Sequence, residues 1–139
     1  MADRLSELDL ADLSVLDELA GDTSAGFAGT LGFARLVILS GTEPYLTRTR
    51  ARFEVILSAR NDPDLAEIVR AYGDRLHGLA HRVIAAWYGD QQDADRLVEQ
   101  RSVMVMTFVS GVMTSFVQGQ PVVSDAEELD EMIRHILRA

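Results

Sequence analysis

The sequence predicts an all-α protein, an antiparallel bundle of about six helices. Apolar residues recur at three- and four-residue spacing over most of the 139 residues. No stretch alternates apolar and polar positions between turn signals, so no sheet is expected. Prolines number three, and two of them stand where helices would begin, a position whose amide is unpaired in any case. A chain of this length forms one domain and buries roughly two-thirds of its unfolded surface without a disulfide or metal staple.

The elements follow in order. Asp3–Ala20 carries Leu5, Leu8, Leu13, Leu16 and Leu19 among acids, an amphipathic helix stopped by Gly21. Asp22, Thr23 and Ser24 are cap-type residues for a helix over Ser24–Ser40, which tolerates Gly26, Gly29 and Gly32 and ends at Gly41. Each interior glycine costs about 1 kcal/mol relative to alanine, which points to close packing or a soft helix. Pro44 opens a third helix over Pro44–Arg60 with a Leu46/Phe53/Ile56/Leu57 stripe. Asp62 and Pro63 cap and start the longest, Pro63–Tyr88, whose stripe runs from Leu65 through Tyr72, Leu76 and Leu79 to Trp87. A loop at Gly89–Gln92 precedes a helix over Asp93–Gln118, stopped by Gly119-Gln120-Pro121. Ser124-Asp125-Ala126-Glu127 reads as a capping box for the last helix, Ser124–Arg138.

Composition excludes several chemistries. Cysteine is absent, which removes disulfides, iron–sulfur clusters and thiol nucleophiles. All 13 basic residues are arginine, so neither a Schiff-base lysine nor a phosphate loop of Walker type can form. Net charge is −9, and residues 1–47 alone hold eight acids against two arginines. Such a surface repels phosphate backbones, and the chain by itself is not expected to bind nucleic acid. The N-terminus lacks a basic start and an apolar run, and the longest weakly polar stretch, Val103–Val117, is too short to span a bilayer. A cytoplasmic location without membrane contact is expected.

Asp74, His77 and His81 fall one helical turn apart and could share a metal, but an exposed polar face is the commoner explanation of the same residues, and Gly78 stands where the metalloprotease pattern needs glutamate. No metal and no cofactor is expected. Arg48, Arg50 and Arg52 form a basic cluster in which Arg50 projects beside the apolar stripe, either toward an anionic ligand head group or with its stem packed on the core. No catalytic constellation is recognisable, so an enzyme is not expected. The Val103–Val117 stretch is apolar nearly all round and carries small residues at Thr107, Ser110, Gly111, Thr114 and Ser115. One face would meet its own bundle and the other a second copy, with the last helix as partner in the seam.

The run from Arg48 through Arg52-Phe53 and Asn61-Asp62-Pro63 to Leu65 resembles a segment common in the C-terminal domains of TetR-family transcription regulators. The long helix, loop, small-residue helix and short last helix follow in that family's order. The resemblance covers residues 24–139 as a ligand-binding and dimerisation domain, with 1–23 similar to the family's acidic connecting helix. The helix-turn-helix pattern of the family is not found in residues 1–23. Three explanations fit: excision of a regulatory domain, a start assigned too late, or a stand-alone sensor.

The resemblance implies a bacterial regulator, commonly a repressor. It would bind a small apolar effector, form a homodimer, and reach DNA only through the helix-turn-helix domain. The pocket would lie between the second to fifth helices, lined by Phe27, Leu31, Ala34, Phe53, Ile56, Tyr72, Leu76, Met104 and Phe108. The dimer face would comprise Thr107, Gly111, Thr114, Ser115, Leu129, Met132, Ile133, Ile136 and Leu137. A helical adaptor that grips another protein without any ligand is the competing reading.

Overall fold

The computed structural model describes residues 29–139. Among these it holds five α-helices and no strand: α1 (Gly29–Ser40), α2 (Tyr45–Ser58), α3 (Pro63–Tyr88), α4 (Ala94–Val117) and α5 (Ala126–Arg138). A single 3-10 turn, Ala59–Asn61, links α2 to α3. The expected Asp3–Ala20 helix and the start of the Ser24–Ser40 helix lie outside the described residues. Gly29, the first residue of α1, has φ +68°, a left-handed conformation that glycine adopts without a Cβ clash.

Local chemistry accounts for the boundaries. The Asp62 carboxylate accepts from the amides of Asp64 at 3.1 Å and Leu65 at 3.4 Å, and Pro63 follows at the first helical position. At α5 the cap is Asp125, whose carboxylate accepts from the Glu127 amide at 3.0 Å. The expected Ser124 cap thus moves one residue along, to a side chain whose charge also suits the positive end of the helix dipole. The α1–α2 turn is tight. Gly41 packs under the Phe116 ring so closely that a Cβ there would stand 2.7 Å from it. Thr49 is fully buried in α2, and its hydroxyl donates to the Ser40 carbonyl at 2.7 Å, tying α2 to the end of α1.

Helices α3 and α4 are antiparallel neighbours. His81 and Glu99, placed symmetrically about the connecting loop, meet at 3.3 Å. α5 runs back along the bundle and packs mainly on α1. Its C-terminal end is held by the Tyr88 hydroxyl, which donates to the Leu137 carbonyl at 2.6 Å, and by Arg101, which donates to the Ala139 main-chain oxygen. The core gathers Phe33, Ala34 and Val37 from α1, Leu76, Ala80 and Ile84 from α3, Val105, Val109, Val112 and Phe116 from α4, and Leu129, Ile133 and Leu137 from α5. No helix among the described residues is long and apolar enough to cross a membrane.

Candidate functional site

Two regions hold the residues singled out in the sequence. The first is the outer side of α4 with the adjoining edge of α5. Val103 is 58% exposed and Met104 42% exposed, and Thr107, Ser110 and Gly111 are exposed on the same side. The Thr107 hydroxyl donates to the Val103 carbonyl and the Thr114 hydroxyl to the Ser110 carbonyl, each at 2.8 Å. Back-bonding of this kind satisfies the hydroxyls within the helix, so the face is less polar than its composition implies. A Cβ at Gly111 would meet no heavy atom within 4 Å. Beside this face lies an open groove of about 490 Å³ lined by Phe108 from α4 and by Glu128, Glu131, Met132, His135 and Ile136 from α5.

The residues expected at a dimer face therefore divide. Thr107, Gly111 and Thr114 lie on the outer side of α4, and Met132 and Ile136 line the groove. Ser115, Leu129, Ile133 and Leu137 are instead enclosed within the chain. The Ser115 hydroxyl donates to the Val112 carbonyl and accepts from the Val122 amide at 3.2 Å, anchoring the loop to α5. The three α5 residues pack into the chain's own core because the α5 stripe is wide enough to bury one edge inward and leave the other at the groove.

The second region lies where α1, α2 and α3 meet. Ala34 and Leu76 are buried there, with Phe53 and Tyr72 half-buried against the same core. Leu31 is half-buried, and Phe27 lies outside the described residues. Ile56 is 44% exposed at the surface of α2. Met104 and Phe108 do not reach this region. Val105, Val109 and Val112, at 1%, 0% and 1% exposure, take the inward positions of α4, which turns Met104 to solvent and Phe108 to the groove.

Of the arginine cluster, Arg50 is exposed and Arg52 is buried. The Arg52 guanidinium lies 4.2 Å from the Tyr72 ring centroid, and its Nη2 donates to the Thr49 hydroxyl at 3.2 Å. Arg52, Val55, Ile56, Val69 and Tyr72 line a cavity of about 10 Å³. The signal that could have found Arg52 is its register: Thr49, Arg52 and Val55 recur every three residues and form the buried side of α2.

The Asp74/His77/His81 grouping does not assemble. Asp74 and His77 are exposed, and His81 turns to Glu99. Among the described residues no group of three or more histidine or acidic side chains could hold a metal ion.

The sequence profile of one known family, described as tetracyclin repressor-like, C-terminal domain, matches residues 25–139. No curated protein and no solved structure matches the chain.

Proposed function

The chain belongs to the tetracyclin repressor-like C-terminal domain family, and from that premise we propose that it senses a small apolar effector and dimerises, as the regulatory domain of a transcriptional repressor. Membership alone carries the coarser statement of a regulatory ligand-binding and dimerisation domain. The finer reading is carried by the outer side of α4. Val103 and Met104 stand exposed there beside Gly111, whose missing side chain leaves open space, and beside the groove lined by Phe108, Met132 and Ile136. In a lone chain that surface is exposed hydrocarbon. Against a second copy related by a two-fold axis, α4 and α5 of each form a four-helix seam that should bury roughly 2,000 Å² or more in total.

The effector would enter where α1, α2 and α3 meet, against Ala34, Phe53, Tyr72 and Leu76. Tyr72 combines an apolar ring with a hydroxyl that can orient a guest. Residues 24–139 act as this domain and residues 1–23 as its connecting segment. Contact with DNA falls to a helix-turn-helix domain and not to these residues, since a net charge of −9 opposes it. Effector binding would shift the equilibrium between two dimer geometries, which requires different affinities for the two.

Sedimentation velocity and thermal-shift screening with flat apolar compounds test the reading together. A dimer whose melting temperature rises with such a compound, and rises less after Tyr72→Phe, is the expected result. A well-folded monomer, or a melting temperature unmoved by every compound, would overturn it.

A further inference from the structure

The groove beside α4 has an order of charge along it. Its α5 wall carries Glu128 toward one end and His135 toward the other, and Phe108, Met132 and Ile136 supply the hydrocarbon. Glu128 and His135 are seven residues apart, which sets them about two turns and about 20° of rotation from each other, on one line along the helix. Both are exposed, and among the described residues neither side chain takes part in a hydrogen bond or ion pair. Glu128 is the third residue of α5, a position from which glutamate can reach back to the cap amide, and here it stands at the groove instead. Acids in the first turn, Glu127 and Glu128, and bases in the last, His135 and Arg138, extend the same order over the whole helix.

That order suits the helix's own dipole. It also decides what the surface can pair with. An in-register parallel copy would set Glu128 against Glu128. A copy running antiparallel about a two-fold axis near Met132 sets Glu128 against His135, and the symmetry makes the contact twice. A ring N–H of the imidazole donates to a carboxylate whether the ring is neutral or charged. The same axis brings the two Met132 side chains together beside Phe108, where a flexible thioether can fill an uneven gap. Glu131, the other acid of the wall, lies about 60° round from Glu128 on the side away from Met132, clear of this line.

We propose that α5 pairs antiparallel with α5 of a second copy, Glu128 of each protomer meeting the partner's His135, so that charge fixes the orientation and register of the dimer. This rests on the dimerisation reading and adds to it the residues that select the partner. An equally apolar helix from another protein lacks the reciprocal pair and is disfavoured.

Sedimentation velocity over a dilution series, with far-ultraviolet circular dichroism as the folding check, tests the pairing. His135→Glu sets carboxylate against carboxylate at both contacts and should raise the dimer dissociation constant at least about tenfold. Glu128→Arg removes the acceptor at both and should raise it at least about threefold. Glu128→Gln, neutral and of the same shape, should raise it about threefold and probes the contact without a reversed charge. Mixed in equal amounts, the His135→Glu and Glu128→Arg chains should form a heterodimer within about threefold of the parent. One contact then joins the introduced arginine to the introduced glutamate, and the other keeps the native pair. A parent that sediments as a monomer overturns the dimerisation reading itself. A parental dimer unmoved by all three substitutions overturns the pairing and leaves dimerisation standing. So does a dimer weakened by the two charge changes and not restored by mixing the folded variants.

Discussion

Gly111→Trp separates the two surfaces of α4. Within one chain a side chain at 111 has open space, since no heavy atom lies within 4 Å of its Cβ position. Replacing a mid-helix glycine by tryptophan improves helix propensity by about 0.5 kcal/mol. The folded chain should therefore keep its helical signal. At a two-fold seam the outcome is opposite, because each copy adds an indole where the backbones approach. Overpacking costs about 1–3 kcal/mol at each site, or about 2–6 kcal/mol for the pair. The dissociation constant should rise by roughly 30-fold to more than 10,000-fold. Sedimentation velocity over a dilution series reads this, with far-ultraviolet circular dichroism as the folding check and Gly111→Ala as the control that remains a dimer. A tryptophan variant that sediments as an unchanged dimer would move the seam away from α4. Loss of helix would refute the claim that this side of α4 is open in the single chain.

Other outcomes follow from the same contacts. Gly41→Ala forces a Cβ to 2.7 Å from the buried Phe116 ring and should cost about 1–3 kcal/mol in urea denaturation, whereas an unchanged midpoint would contradict the packing of the α1–α2 turn. Asp62→Ala removes the acceptor for the Asp64 and Leu65 amides and should lower stability by about 1 kcal/mol, read from the same denaturation curve. Tyr88→Phe takes the donor from the Leu137 carbonyl, so amide exchange at the end of α5 should accelerate while α3 stays protected. In a gel-shift assay at physiological salt the chain should leave duplex DNA unretarded, and tight, salt-sensitive retardation would refute the charge argument.

Much of the fold was legible because its signals are local. The Asp62-Pro63 pair and the unbroken stripe predict Pro63–Tyr88, and the helix has those ends. The face that α4 turns inward was not legible. A helix apolar on nearly every side carries no phase, and the expectation that Met104 and Phe108 point inward is one residue, about 100° of rotation, from the Val105/Val109/Val112 side that the core takes. The division of α5 was hidden for a related reason. A stripe of Leu129, Met132, Ile133, Ile136 and Leu137 looks the same whether it is covered by its own chain or by another, and the choice emerges only when α1 is packed against it. Arg52 escaped because a charged residue among apolar ones reads as a surface position. Its guanidinium meets the Tyr72 ring, twenty residues away in another helix, a contact that no local pattern announces.

Native mass spectrometry of the unmodified chain, with a panel of flat apolar compounds added in turn, tests the central claim most directly. The account predicts a species at twice the 15.3 kDa chain mass that gains the mass of a bound compound. A folded species at the mass of one chain, or a dimer that takes up none of the compounds, would contradict it.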